Sequence, residues 1–296
     1  MGMTRRKFIG ICGGAALLLM GIRVSEYIDN ILGSNQSSEG IIKESKNAAG
    51  DIRFITVGDP HVESVITDNT YNISDKGNKR LEQVVNFINI SDVDFAVFLG
   101  DIADDGTAES NDLIKGILKN LNKKYYVVAG NHDLFISNNM FEGYFGPMER
   151  IEYVNGYQLL FVGIYQEKYG NGITLKWSFD FDKTDKNVPT LVFVHGPVTD
   201  LPAECVYCQM KDLTDRGILG YAKSIRTELD KFTNLIGVYS GHIHYDTNQV
   251  IDNTRYVTVN GLNNIKFDDF NVVNFSDKVG YSTIKGGKSY YELVSY

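Results

Sequence analysis

From residue 51 onward the chain repeats one pattern, in which a short apolar run leads to a glycine and then to polar residues. Each run has the length of a β-strand and is rich in β-branched or aromatic residues, which favours a strand over a helix. The runs are RFITV (53–57), DFAVFL (94–99), YYVVA (125–129), LLFVGI (159–164), TLVFV (190–194) and LIGVYS (235–240). This pattern predicts a fold organised around buried strands.

Apolar stripes with helical spacing lie between several of these runs, and each stripe predicts a helix. They are Leu81, Val84, Val85 and Ile88; Ile114, Ile117, Leu118 and Leu121; and Ala222, Ile225, Leu229 and Phe232. Strands that alternate with helices predict an α/β layered fold. The tail after residue 250, with TRYVTV and SYYELVSY, is typical of β-structure and is expected to complete a second sheet.

All five histidines of the chain lie in the polar motifs that follow the apolar runs. These motifs are VGDPH, LGD, AGNHD, VHG and SGHIH, with histidines at His61, His132, His195, His242 and His244. An isolated HxH pair is more typical of two solvated imidazoles, but scattered surface histidines would not be confined in this way. Because ligand sites in open α/β sheets collect beyond the carboxyl ends of the strands, the motifs are expected to converge.

Three oxygen-bearing side chains accompany the histidines: Asp59, Asp101 and Asn131. Imidazole, carboxylate and amide oxygen together suit divalent transition metals. Eight candidate groups are more than one tetrahedral zinc needs. They are about right for two ions that share a ligand, so the sequence favours a metal site.

The order of the motifs resembles that of the calcineurin-like metallophosphoesterases. The blocks that carry the resemblance are D-x-H (59–61), G-D (100–101), G-N-H-D (130–133), the lone His195 and G-H-x-H (241–244), and the likeness extends over residues 51 to about 262. It implies a four-layer α/β/β/α sandwich with two mixed β-sheets over residues 51–296. The family pattern further implies two divalent ions, Mn, Fe or Zn. It assigns Asp59, His61 and His244 to one ion and Asn131, His195 and His242 to the other, with Asp101 bridging both.

The resemblance also implies two residues that act on the phosphate rather than on the metals. His132 matches the catalytic histidine, and Asp104 matches the acid that pairs with it in related phosphatases. An alternative for Asp104 is that ADDG (103–106) is an ordinary turn. Asp133 has a similar alternative, in which it only closes a loop.

The implied activity is hydrolysis of a small phosphoric ester by a hydroxide that bridges the two ions. GDIADDGTAES followed by a helix and YYVVAGNHD is similar to class III cyclic-nucleotide phosphodiesterases, which favours phosphodiesters. Asp104 stands where purple acid phosphatases have a tyrosine, which argues against a purple enzyme. A phosphomonoesterase and a non-catalytic metal-binding scaffold remain alternatives. The formal net charge of −8 argues against a nucleic-acid-binding surface.

Residues 1–33 are expected to be a signal peptide or an N-terminal membrane anchor, and residues 34–50 a polar linker. Arg5 and Arg6 precede an apolar stretch from Phe8 to Ile22 that is short for a membrane span. The segment resembles a twin-arginine export signal, which implies the twin-arginine machinery as a partner and an extracytoplasmic location. An ordinary secretory signal is the alternative. In such a compartment a disulfide between Cys205 and Cys208 is favoured slightly over two free thiols.

Overall fold

The computed structural model describes residues 49–64, 76–169, 172–200, 218–262 and 276–296. The expected signal or anchor, nearly all of the expected linker, and the pair Cys205 and Cys208 therefore lie outside the described residues. Among the helices that the structure describes, none has the length and hydropathy needed to cross a membrane.

Twelve strands form two mixed sheets within the described residues. The first sheet contains β1 (Ile52–Val57), β2 (Phe95–Phe98), β3 (Lys124–Val127), β11 (Lys278–Lys285) and β12 (Lys288–Ser295). The second contains β4 (Arg150–Val154), β5 (Tyr157–Tyr169), β6 (Gly172–Ser178), β7 (Thr190–Val194), β8 (Leu235–Ser240), β9 (Thr247–Ile251) and β10 (Thr254–Thr258). Four helices accompany them: α1 (Lys76–Ile90), α2 (Ala108–Leu118), α3 (Asn138–Phe145) and α4 (Ile218–Leu229).

The strand orders place parallel strands at the middle of each sheet. The first sheet has the order β12-β11-β1-β2-β3, with β1, β2 and β3 parallel and β11 antiparallel to β1. The second has the order β4-β5-β7-β8-β10-β9, with β6 paired to β5, and its strands β5, β7, β8 and β10 run parallel. The carboxyl ends of the parallel strands are therefore available at one edge of each sheet.

The alternation of side chains along the strands separates three buried layers. In β1, Phe54 packs in the layer between the two sheets, whereas Ile55 packs in the layer shared with α1 and α2. In β7, Phe193 faces the layer between the sheets and Val192 faces the layer shared with α4. Helices thus cover the outer face of each sheet, which confirms the four-layer α/β/β/α sandwich with two mixed β-sheets.

All six predicted strand runs are strands in the structure. The stripe on α1 is buried throughout, Ile114, Ile117 and Leu118 are buried on α2, and Ile225 and Leu229 are buried on α4. The last members, Leu121 and Phe232, lie just beyond the ends of these helices and still pack against the core.

The expectation for the tail was right for β10 and wrong for the last two strands. β10 joins the second sheet beside β8, but β11 pairs with β1 in the first sheet, with Ile52 opposite Ile284. An apolar pattern predicts a strand without specifying its partner. Here the partner is about 230 residues away, at the free edge of β1.

Candidate metal centre

The predicted site residues follow the carboxyl ends of five parallel strands. Asp59 and His61 follow β1, Asp101 and Asp104 follow β2, Asn131 and His132 follow β3, His195 follows β7, and His242 and His244 follow β8. The loops after β1 and β2 are tied together, because the amide of His61 donates to the carbonyl of Asp101 at 2.9 Å. The loops after β7 and β8 are joined in the same way by Gly241 and His195, at 2.9 Å. The structure brings all nine residues into one connected cluster.

One half of the cluster consists of Asp59, His61 and His244. The Nε2 atoms of His61 and His244 are 3.1 Å apart, and Nε2 of His244 lies 3.7 Å from Oδ1 of Asp59. Asp59 is fully buried and accepts the backbone amide of His242 on both carboxylate oxygens, at 3.0 and 2.9 Å. These contacts fix one carboxylate and two imidazoles around a common point.

The other half consists of Asp101, His195 and His242, with Asn131 beside them. Nε2 of His195 lies 3.1 Å from Oδ1 of Asn131 and 3.0 Å from Nδ1 of His242. All three members of the main group are buried.

Asp101 lies between the two halves. Its Oδ1 accepts the backbone amide of His132 at 2.8 Å, which fixes the carboxylate. Its Oδ2 faces Nε2 of His195 at 3.4 Å and Nε2 of His61 at 3.9 Å, one imidazole from each half. This is the position that the bridging assignment requires.

The hydrogen bonds of the imidazoles test whether a cation fits here. Nδ1 of His195 donates to the carbonyl of Leu99 at 2.8 Å, which leaves Nε2, close to the oxygen of Asn131 and Nδ1 of His242, as the ring nitrogen that can bind a metal ion. Nδ1 of His61 contacts the carboxylate of Asp104 at 2.7 Å, so Nε2, which faces His244, is likewise the ring nitrogen that can bind a metal ion. An imidazole held by a carboxylate or carbonyl on its other nitrogen is typical of metal-ligating histidines. The donor set therefore fits divalent metal ions.

Non-glycine residues with left-handed backbone are concentrated at the site. Among the described residues, eight non-glycine residues have positive φ, and five of them are predicted metal ligands: Asp59, His61, Asp101, His242 and His244. The other three, Asn155, Asp252 and Asn253, lie in hairpin turns, where this conformation is ordinary. Left-handed backbone costs roughly 1–2 kcal/mol per residue. Such strain tends to cluster at functional sites, where it aims side chains.

Two glycines leave room for the ligands. A Cβ on Gly130 would collide with the backbone nitrogen and Oδ1 of Asp101, and a Cβ on Gly241 would collide with Oδ2 of Asp59. The glycines of the GNHD and GHIH motifs are thus needed because a carboxylate occupies the space that any side chain would fill.

His132 lies beside the cluster, where it forms a third group of possible ligands with His61 and Asp104. Its Nδ1 contacts the backbone carbonyl of Asp104 at 2.7 Å and the carboxylate of Asp104 at 3.3 Å, and its ring is 4.7 Å from that of His61. Burial disfavours the charged imidazole, but the charge of Asp101 and the hydrogen bond with Asp104 outweigh it and raise the pKa of His132 to about 10.

Asp104 contacts more than the expected partner. The same oxygen, Oδ1, is 2.7 Å from Nδ1 of His61 and 3.3 Å from Nδ1 of His132. Burial opposes ionisation of this carboxyl, yet the hydrogen bonds of His132 and His61 prevail and lower its pKa. Asp104 therefore orients a predicted metal ligand as well as the predicted catalytic histidine.

Asp133 closes the loop, as its alternative interpretation held. Its carboxylate accepts the amides of Ala103 and Gly130, both at 2.8 Å, and it is buried.

Glu63 was not identified from the sequence. Burial and a hydrogen bond with Asp104 raise the pKa of Glu63 to about 8, which places it at the edge of the same network. Its spacing from Asp59 and His61 gave no signal, because both of those residues have positive φ and the segment is not a regular strand.

The calcineurin-like phosphoesterase family model matches residues 52–246, which include every residue of this cluster. The chain belongs to the calcineurin-like phosphoesterase family. It is 26% identical over 184 residues to a 3′,5′-cyclic-nucleotide phosphodiesterase of Nostoc sp., covering 60% of this chain and 64% of that protein. It is 27% identical over 180 residues to a Fibrobacter succinogenes protein named as a probable cyclic nucleotide phosphodiesterase, covering 57% of this chain and 65% of that one. The chain thus matches less than two thirds of the length of either relative.

A solved structure shares the fold at low sequence identity. The dimetal phosphatase from Danio rerio aligns with a TM-score of 0.53 and 12% identity, covering 83% of this chain and 99% of that one. At this identity the match supports the two-sheet architecture alone.

Proposed function

We propose that this phosphoesterase is a metal-dependent hydrolase of phosphoric esters that acts preferentially on phosphodiesters. The observation that carries the proposal is the pair of neighbouring donor groups, one of Asp59, His61 and His244 and the other of Asp101, His195 and His242, with His132 next to them. The preference for diesters is supported by the phosphodiesterase names of the two curated relatives.

Two divalent ions, Mn, Fe or Zn, are the proposed cofactors. Asp59, His61 and His244 would hold one ion, Asn131, His195 and His242 the other, and Asp101 would contact both. When bound, such ions stabilise negative charge on phosphate oxygens and lower the pKa of a bound water. The buried imidazoles and carboxylates keep bulk water away from these positions, which strengthens every electrostatic interaction with an anionic substrate.

His132 is the proposed general acid. Because Nδ1 is engaged by Asp104, Nε2 is the nitrogen available to the substrate. The carboxylate of Asp104 beside Nδ1 favours the protonated imidazole, which can donate its proton to the departing ester oxygen. Asp104 keeps the ring in one orientation throughout.

The proposal is tested by metal loading and turnover with purified protein. Hydrolysis of bis(4-nitrophenyl) phosphate and of 4-nitrophenyl phosphate is measured after loading with manganese, iron or zinc, and bound metal is quantified by elemental analysis. We expect about two ions per chain and faster hydrolysis of the diester.

Two variants separate the roles of the cluster. Asp101→Asn should abolish both turnover and full metal loading, whereas His132→Ala should lower turnover by roughly 100-fold or more and retain the metals. Faster hydrolysis of the monoester would indicate a phosphomonoesterase. Full metal loading without hydrolysis of either ester would indicate a binding scaffold and overturn the proposal.

We also propose export by the twin-arginine machinery. Support comes from the sequence, in which Arg5 and Arg6 precede the apolar stretch from Phe8 to Ile22. Replacement of both arginines by lysine in the full chain should retain the protein in the cytoplasm. Unchanged export in cell fractionation would favour an ordinary secretory signal.

A further inference from the structure

The loop after the GNHD motif is anchored on one side and exposed on the other. Asp133 and Leu134 are buried, and the amide of Phe135 donates to the carbonyl of His132 at 3.2 Å. Phe135 and Ile136, which follow, are 51% and 54% exposed. Because the loop is held by buried anchors and a backbone hydrogen bond, this exposure belongs to an ordered conformation.

The exposed ring of Phe135 lies against the predicted general acid. Its centroid is 4.6 Å from that of His132, with the planes inclined by 44°. The ring of His132 is in turn 4.7 Å from that of His61, a predicted metal ligand. Single exposed apolar residues are common on protein surfaces and need no special explanation. Phe135 differs from them because its ring contacts a residue of the candidate site.

We propose that Phe135 is a specificity-determining residue that stacks on an aromatic ring carried by the substrate. The inference rests on the proposed function, because it assumes that the phosphate binds beside His132. Aromatic faces stack in offset or tilted geometry, and an exposed ring can stack on any nucleobase without hydrogen-bond readout. The substrate class is therefore a phosphodiester with an aromatic group next to the phosphate, such as a nucleotide. Phosphodiesters of simple alcohols lack this contact.

The test compares two phosphates that differ only in the aromatic ring. Manganese-loaded protein is titrated with adenosine 5′-monophosphate and with ribose 5-phosphate, and binding is measured by calorimetry without turnover. We expect the adenine compound to bind roughly 5- to 100-fold more tightly, the range found when bases stack on aromatic side chains. Phe135→Ala should bring the two affinities together, because it should weaken the binding of the adenine compound and leave that of ribose 5-phosphate unchanged. Phe135→Trp should keep the difference.

Ile136→Ala is the matched control, since it removes an equally exposed side chain without a ring from the same loop. It should leave the ratio of affinities unchanged. Phe135→Leu keeps apolar bulk without the ring and should behave like the alanine variant, which separates stacking from disturbance of the loop.

The outcomes distinguish this inference from the function on which it rests. If the wild-type protein hydrolyses phosphodiesters but binds both compounds equally, the role of Phe135 is wrong and the proposed function stands. The role is also wrong if Phe135→Ala and Phe135→Leu keep the wild-type ratio. If the metal-loaded protein binds neither compound and hydrolyses no ester, both proposals are wrong.

Discussion

Oδ1 of Asp104 contacts imidazoles with different predicted tasks, His61 as a metal ligand and His132 as an acid. A carboxylate that holds the second nitrogen of a ligating histidine fixes its tautomer and orientation. Here one such carboxylate serves both histidines. A change at Asp104 should therefore affect metal affinity and turnover together.

Asp104→Asn is predicted to weaken metal binding and to lower turnover, each by roughly 10- to 100-fold. The reason is that a neutral amide oxygen is a weaker acceptor for two N–H groups than a carboxylate. The measurements are metal affinity by competition with a chelator and kcat at saturating metal. Asp105→Asn is the control, because the carboxylate of the neighbouring Asp105 makes local hydrogen bonds, accepting the amide and the hydroxyl of Thr107, both at 3.0 Å. Loss of turnover with unchanged metal affinity would mean that Asp104 acts only through His132.

Gly130→Ala is predicted to reduce metal binding and stability, because its Cβ would overlap Asp101. Forced overpacking of this kind costs about 1–3 kcal/mol of unfolding free energy. Gly116→Ala is the matched control: it lies in α2, its Cβ would have no neighbour within 4 Å, and alanine should stabilise the helix by roughly 0.5–1 kcal/mol. Denaturant unfolding and metal titration compare the two variants. Equal behaviour of both glycines would contradict the close approach to Asp101.

At the scale of secondary-structure elements, side chains that pack between the two sheets hold the strands in position, and the strands in turn position the site residues that follow them. Phe193 of β7 is fully buried and its ring lies 5.5 Å from Phe54 of β1, 5.2 Å from Phe161 of β5 and 5.5 Å from Tyr239 of β8. His195 follows two residues later, so the packing of Phe193 determines where that histidine lies.

Phe193→Ala is predicted to lower the free energy of unfolding by about 3–5 kcal/mol, because it removes a large ring from between the two sheets. Val250→Ala on β9, where the side chain is 59% exposed, should change it by less than about 0.5 kcal/mol. Urea unfolding followed by fluorescence measures both. A loss below about 1 kcal/mol at Phe193 would mean that the layer between the sheets collapses around the cavity.

At the scale of the whole molecule, the candidate metal centre joins the two sheets. Asp59, Asp101 and Asn131 follow strands of the first sheet, whereas His195 and His242 follow strands of the second. Ions held by both groups would connect two halves that otherwise meet through apolar packing. Metal binding should therefore stabilise the fold as a unit.

Manganese is predicted to raise the unfolding free energy by about 2.7 kcal/mol at a concentration one hundred times its dissociation constant. The measurement is the thermal midpoint across a manganese titration, with a chelator to reverse the shift. Asp101→Asn should lose most of the shift because it contacts both halves of the cluster. A thermal midpoint that does not respond to divalent ions would contradict a metal centre shared between the sheets.

The sequence alone determined the strands of the six apolar runs and the helical stripes, because their signals are local. The period of apolar residues marks a strand such as β7 or a helix such as α1 without reference to any partner. It also determined the candidate site, because all five histidines lie in motifs directly after strands, and parallel strands bring their carboxyl ends together. The family pattern could then be placed on this chain residue by residue.

Only the tertiary structure decided which elements are neighbours. β11 pairs with β1 rather than with a strand of the second sheet. The apolar pattern of the tail does not predict which of these distant sheet edges it joins. The double contact of Asp104, the network position of Glu63 and the ring contact of Phe135 were likewise decided there. Each depends on distances between side chains from separate loops or on how a loop turns. Such distances follow from the packing of the whole molecule, whereas residue spacing along the chain reports only local geometry.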